Sequence, residues 1–287
     1  MKKTKLLLLA ILSTTFLTGC FKRDNMDNIT IYTTTYPLHY LVEQIYGYNS
    51  EVKSVYPAGV EVDSYELTTK QKKDYAEGDM FVYNTLNGEK NIAASLLEYN
   101  QNMKFIPATK NFSEGTDIEA LWLSPANYLM VAQNIKNELL EFTNSTVLQQ
   151  EIEDKYDSIK LTISKYDAEL KLIAENAQCK TIVAGNDVFE FLEHYGFEVL
   201  SVEDNDKFLQ SDYQTAKNNI NNKSNQYIFI LDTDSISENV KKLQAEGAKV
   251  ITVKSMLNLS EEQIANNEDY PKMMLEFIDQ IKMEAYN

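Results

Sequence analysis

Histidine and cysteine are scarce in this chain, with two of each in 287 residues. Two cysteines cannot build a disulfide scaffold or a Cys-rich zinc or iron–sulfur site. Two histidines leave little room for a His-rich catalytic metal centre. Positive charge is also in deficit: 27 Lys and Arg stand against 43 Asp and Glu, a net charge of −16. That argues against nucleic-acid binding, because a phosphate backbone needs a basic face. Beyond the N-terminus no apolar run is long enough to cross a bilayer. What is present is ordinary for a folded chain. A hydrophobic fraction of 44% excludes global disorder, and the length suits one large domain or two small ones.

The first residues read as a targeting segment. Lys2, Lys3 and Lys5 form a basic head and Leu6 to Leu12 a short apolar run, the pattern of a secretory signal. Leu17-Thr18-Gly19-Cys20 resembles a bacterial lipobox. That resemblance implies removal of residues 1–19 and lipidation of the Cys20 thiol; an ordinary signal peptide with a chance cysteine is the alternative. A diacylated cysteine gives stable two-chain anchoring. Residues 20–28 then form a polar, lipidated tether. The remaining cysteine, Cys179, precedes the apolar run Thr181 to Ala184 and reads as a small buried residue.

Internal similarity is the strongest structural signal. Residues 30–55 and 181–202 each show an apolar strand, a polar loop, an amphipathic helix ending in Tyr-Gly, and a second strand. Gly47 and Gly196 stand where a helix C-cap wants positive φ, and Pro37 suits a first helical turn. The alternation continues. Helices are expected at 67–77, 90–100, 126–142, 211–222, 237–247 and 260–283. Strands are expected at 79–83, 104–106, 227–231 and 249–253. Strands alternating with helices imply βαβ units and mainly parallel sheets, about four strands per lobe. Between the lobes, Ile152, Tyr156, Ile159, Ile163, Tyr166, Leu170 and Ile173 form one apolar stripe at helical spacing. It predicts a helix over 146–176, capped by Asn144 or Ser145. We read it as a rigid strut, with a coiled-coil dimer as the competing reading. The expected organisation is an N-terminal α/β lobe (29–143), a linking helix (144–177) and a C-terminal α/β lobe (178–287), with a cleft between the lobes. A monomer is expected.

Several ordered motifs carry a closer resemblance. Pro57-Ala58-Gly59-Val60-Glu61-Val62-Asp63-Ser64-Tyr65-Glu66-Leu67-Thr68 resembles the PAGVEPHDFEPT stretch of the zinc/manganese ABC-transporter substrate-binding lipoproteins. Ala76 to Asn84 is similar to their ADLFVYNG, and Leu121-Trp122-Leu123-Ser124-Pro125 with Asn127 to their HVWLDPVN. Gly185-Asn186-Asp187-Val188-Phe189, Tyr195-Gly196-Phe197 and Gly247-Ala248-Lys249-Val250 follow in the family's order. The resemblance implies a two-lobed α/β fold with a long linking helix. It also implies an extracytoplasmic, membrane-anchored location, an ABC permease and ATPase as partners, and one divalent cation, zinc or manganese, as cargo; the Lys-, Asn-, Ile- and Tyr-rich usage suggests an A+T-rich genome and with it a Gram-positive bacterium.

The ligand set that the resemblance implies, three histidines and a carboxylate, does not carry over. Its positions map to Asp63, Ala120, Asn186 and, within one residue, Lys254 or Ser255. Asp63 can ligate a hard or borderline cation, Asn186 only weakly, and Ala120 not at all. A Lys254 ammonium in the cleft would repel a cation and could pair with Asp63. His39 and Asp232 lie at carboxyl ends of strands and are further cleft candidates. Asp234 shares that strand end with Asp232 and could also face a ligand, with capping of the next helix as its other reading; Asp187 reads as a helix cap, and His194 as a surface helix-end residue. Tyr32, Tyr36, Tyr65 and Tyr83 could add hydroxyls. Two functions stay open: a metal-type binding protein, or a relative of the same fold that binds another polar solute or serves as a surface interaction or adhesion module without metal. No nucleophile–histidine–acid arrangement is visible, so an enzyme is not expected.

Overall fold

The computed structural model describes residues 26–287. The signal segment, the lipidation site at Cys20 and most of the tether lie outside the described residues. Two four-stranded, fully parallel sheets are present. The first holds β1 (Ile29–Thr33), β2 (Ser50–Ser54), β3 (Met80–Tyr83) and β4 (Lys104–Pro107) in the order β2-β1-β3-β4. The second holds β5 (Thr181–Ala184), β6 (Glu198–Ser201), β7 (Tyr227–Leu231) and β8 (Lys249–Val253) in the order β6-β5-β7-β8. The two orders are the same topology used twice. Each changes direction at its first strand, where parallel crossovers leave a crevice beyond the carboxyl ends.

Helices α1 (Tyr36–Tyr46), α2 (Thr69–Tyr75), α3 (Glu89–Tyr99), α4 (Ala120–Leu123) and α5 (Pro125–Phe142) belong to the first lobe. Pro37 and Pro125 sit in first turns, where the missing N–H costs nothing. Thr68 and Gln71 form a reciprocal capping box at the start of α2. Helix α6 (Thr146–Asn176) is continuous over 31 residues, about 46 Å at 1.5 Å per residue, and the Ser145 side chain caps it. All seven stripe residues are buried. The stripe packs on α1, α5 and the C-terminal helix, so one apolar core runs through both lobes by way of α6. A smaller cluster around Val183, Ile228, Ile230, Val240 and Leu243 fills the other face of the second sheet beneath α7 (Gln210–Asn221) and α8 (Glu238–Ala245). Among the described residues no helix is long and apolar enough to cross a membrane.

Four local expectations are corrected. Gly47 has φ −59°: α1 tightens into a 3-10 turn, Gly47–Asn49, that feeds β2, so no left-handed reversal is needed. Its counterpart Gly196 does take φ +101°. The segment before Gly196, Asp187–Tyr195, is a 3-10 helix rather than an α-helix. The expected helix at 260–283 is two helices, α9 (Glu261–Ala265) and α10 (Tyr270–Ala285), broken at Asn267 with φ +52°. Cys179 is half-buried; its Sγ lies 3.4 Å from the Thr181 carbonyl oxygen.

A seam of hydrogen bonds holds the lobes together beside the cleft. The Trp122 indole donates to the Ser255 carbonyl at 2.7 Å, and the Tyr270 hydroxyl to the Trp122 carbonyl at 2.8 Å. Tyr36 N–H donates to Leu257 O at 2.9 Å, and Gly59 N–H to Leu259 O at 2.9 Å. The Asn258 amide donates to Pro57 O at 2.7 Å.

Candidate functional site: an acidic interlobe cleft

The cleft lies where parallel α/β sheets place ligand sites, beyond the carboxyl ends of the strands. It encloses 490 Å³. The loop after β2 supplies Glu61 and Asp63, and the approach to α4 supplies Asp117 and Glu119. The second lobe adds Asn186 after β5, Asp232 and Asp234 after β7, and Ser255 after β8. Six carboxylates thus line one cavity, and its described lining holds no lysine, arginine or histidine.

Local backbone geometry positions these groups. Asn186 follows Gly185, whose Cα hydrogen faces Ile230; a Cβ there would stand 2.7 Å from the Ile230 methyl. The Asn186 side chain accepts from Val188 N–H at 2.8 Å and so caps the 3-10 helix. Its amide nitrogen faces an Asp234 oxygen at 3.4 Å. Asp232 accepts from Ser255 N–H at 2.8 Å, which ties the ends of β7 and β8. Asp234 accepts from Leu231 N–H at 3.1 Å.

Crowding of like charge shows in the acids. Burial pushes the Glu119 carboxyl up to about 7, and the neighbouring Asp63, Asp117 and Asp234 push the same way. Burial raises Asp117 and Asp234 as well. Such a cleft favours a positively charged occupant, because each added cation relieves both desolvation and repulsion. Even so, among the described residues no three histidine, cysteine, aspartate or glutamate side chains converge at metal-binding spacing.

The structure sorts the sequence candidates. Asp63, Asn186 and Asp232 are brought together in the cleft. Ala120 opens α4 and offers no donor; Glu119, one residue earlier, is the side chain that faces the cavity. Lys254 is not in the cleft. Its ammonium lies between Glu268 at 2.9 Å and Glu276 at 2.8 Å, on the side of α9 and α10. Side chains alternate along the chain leaving β8, so Ser255 faces the cleft and Lys254 faces away. The expected pairing of Lys254 with Asp63 is therefore absent. His39 is also elsewhere. Its Nδ1 stands 3.2 Å from the Thr33 hydroxyl and its Nε2 3.4 Å from Glu43, one helical turn on.

Two expected caps are reassigned. Ser237, not Asp234, caps α8. Asp187 is buried, bonded to the Ser201 hydroxyl and, at 2.9 Å, to the Asn205 amide. Sequence reading missed Glu119, Asp117 and Glu61 as cleft residues; Asp234 lines the cleft beside Asp232, as its place at the strand end allowed. The one usable signal was the uncertainty of about one residue in matching motif positions, which is the offset between Ala120 and Glu119.

Comparison with known proteins bears on this geometry. Residues 31–284 match the family model described as zinc-uptake complex component A, periplasmic. The zinc-binding lipoprotein AdcA of Streptococcus pneumoniae is 26% identical over 231 residues, covering 70% of this chain and 44% of that protein. The chain therefore spans less than half the length of that relative. Among solved structures, the Zn(II)-bound ZnuA-like domain of the same AdcA superposes with a TM-score of 0.72 at 20% identity, over 91% of this chain and all of that domain. The metal-dependent lipoprotein YcdH from Bacillus subtilis superposes with a TM-score of 0.74 at 21% identity, over 91% of this chain and 100% of that one. Likeness at this identity concerns the fold.

Proposed function

The chain belongs to the zinc-uptake complex component A family, and from that premise we propose that it is an extracytoplasmic substrate-binding lipoprotein that captures a divalent cation in the interlobe cleft for an ABC importer. The family consists of binding components rather than enzymes. Cys20 would carry the lipid anchor, and a permease with its ATPase would receive the cargo. The observation that carries the reading is the lining itself: six carboxylates and no cationic side chain face one cavity.

The donor chemistry refines the cargo. Asp63, Glu119, Asp232, Asp234, the Asn186 amide and the Ser255 hydroxyl are all oxygen donors. Oxygen-only sets suit hard cations such as manganese(II), whereas zinc favours a tetrahedron with nitrogen or sulfur ligands. Manganese is therefore the favoured cargo of the two. Because no three acids converge among the described residues, loading requires side chains of the Asp63 loop and the Glu119 segment to move toward Asp232.

The test is metal analysis of the purified protein followed by thermal unfolding with Mn²⁺, Zn²⁺ and Ca²⁺. A specific ion at about 100 times its Kd adds about 2.7 kcal/mol of stability. Asp63→Ala and Glu119→Gln are each expected to remove most of that gain. No bound metal and no stabilisation would defeat the cation reading. A second reading is favoured by the cleft's size together with its unconverged acids. A volume of 490 Å³ exceeds what a bare ion needs, and it suits a small organic cation or other polar solute. Retention of an organic mass after mild purification supports that alternative.

A further inference from the structure

A second cavity, of 430 Å³, opens on the N-terminal lobe behind the cleft wall. Val62 and Asp63 line both cavities, so the loop after β2 is a partition between them. The volume lies in the range of small-molecule pockets, about 300–1,000 Å³. Its walls come from the β2 exit (Tyr56, Tyr65), from α2 (Lys72) and from the first turn of α3 (Glu89, Ile92).

Four side chains that carry a carboxyl or amino group line the cavity, Asp63, Glu66, Lys72 and Glu89, and none has an ion-pair partner among the described residues. Lys72 is a half-buried residue, and its ammonium has no hydrogen-bond or ion-pair partner among the described residues. Its neighbour Lys70, by contrast, pairs with Asp74. Glu89 is 1% exposed. Its oxygens accept from Asn84 N–H at 2.8 Å and from the Asn87 amide at 3.2 Å, and no cationic side chain pairs with it. The Thr34 hydroxyl is a third neighbour that lowers the acid's proton affinity; a carboxylate has about four acceptor positions, so one remains for a ligand. Tyr56 and Tyr65 meet edge to face, centroids 5.9 Å apart. The Tyr65 hydroxyl is held by the Gln71 amide at 2.7 Å. A buried acid, aromatic walls and a rim ammonium in one cavity complement a ligand that carries both charges.

We propose that this cavity binds a free α-amino acid, with the ligand carboxylate on the Lys72 ammonium and the ligand ammonium directed to the Glu89 carboxyl beside the Tyr56–Tyr65 pair. Ile92 and Leu67 offer an apolar surface for the ligand side chain. The site lies on the far side of the Val62–Asp63 partition from the cleft, and none of Lys72, Glu89, Tyr56 and Tyr65 lines the cleft.

The test is thermal unfolding of the purified full chain with each of the twenty standard L-amino acids, then calorimetry on the best binder. That amino acid is compared with its decarboxylated amine and its deaminated acid. Each truncated analogue is expected to bind about tenfold or more weakly, the scale of one lost charge-assisted hydrogen bond. Lys72→Gln, a substitution on the outer turn of α2, is expected to weaken the amino acid about tenfold and to leave the amine unchanged. It is also expected to leave the metal response of the cleft unchanged, so the two sites are read separately. Absence of binding by all twenty, equal binding of the bare amine, or indifference to Lys72→Gln would each overturn the proposal.

Discussion

Glu89→Gln isolates the cost of one buried acid, and the effect is large enough to read in global stability. Glu89 is 1% exposed, and its polar neighbours are neutral donors: the Thr34 hydroxyl, Asn84 N–H and the Asn87 amide. Burial pushes its carboxyl from the ordinary 4.5 up to about 7, with the charge of Asp63 adding to the rise. The folded protein therefore binds this proton more tightly than the unfolded chain does. By linkage, stability is full below the unfolded value and is lost as pH rises toward the folded one. A rise of this size corresponds to about 3 kcal/mol once both states are ionised. Glutamine keeps an acceptor oxygen for Asn84 or Asn87 and cannot titrate. Relative to the parent, Glu89→Gln is therefore expected to gain about 3 kcal/mol between pH 4.5 and pH 8, or about 6 °C in Tm for a chain of this length. Urea unfolding of both proteins at pH 4.5, 5.5, 6.5 and 8 measures this. Glu119, also raised to about 7, titrates in both proteins and cancels in the difference. Parallel pH profiles for the two proteins would refute the reasoning.

Two further perturbations test the frame around the site. Glu284 of α10 is fully buried and accepts from the Asn225 amide at 2.5 Å and from Gln226 and Tyr227 N–H at 3.2 Å each. Glu284→Leu orphans two backbone donors at the start of β7 and is expected to cost about 3–5 kcal/mol, while Glu284→Gln costs much less; thermal unfolding distinguishes them, and equal losses would defeat the assignment. Asn258→Ala removes the donor to Pro57 O and Val60 O across the cleft mouth. It is expected to cost about 1 kcal/mol and to speed cargo release in stopped-flow exchange, with an unchanged off-rate counting against a clamping role for the seam.

Much of the architecture was legible from local pattern alone. Strand runs such as Tyr227 to Leu231, helix stripes at spacings of three and four, and caps such as Ser145 are encoded within a few residues of each other. Their physics is short-range, so β7, β8 and the 31-residue α6 appear where the periodicity puts them. The duplicated strand–helix–strand unit likewise announced two sheets of the same topology. The general place of the site followed too, because parallel strands present ligands at their carboxyl ends.

Only the folded chain decided the site's chemistry. Gly47 and Gly196 occupy matching positions after Tyr, yet only Gly196 is left-handed, because α1 runs on into a 3-10 turn toward β2. Lys254 and Ser255 are adjacent in sequence and face opposite ways, one toward acids on α9 and α10, the other into the cleft. Ala120 and Glu119 differ by a single position at the start of a short helix, and that step separates an inert methyl from a half-buried acid. Facing at a strand end or a helix start turns over with one residue. Motif matching locates such residues only to within about that margin, so long-range packing, not local sequence, chose an all-oxygen acidic lining for this cleft.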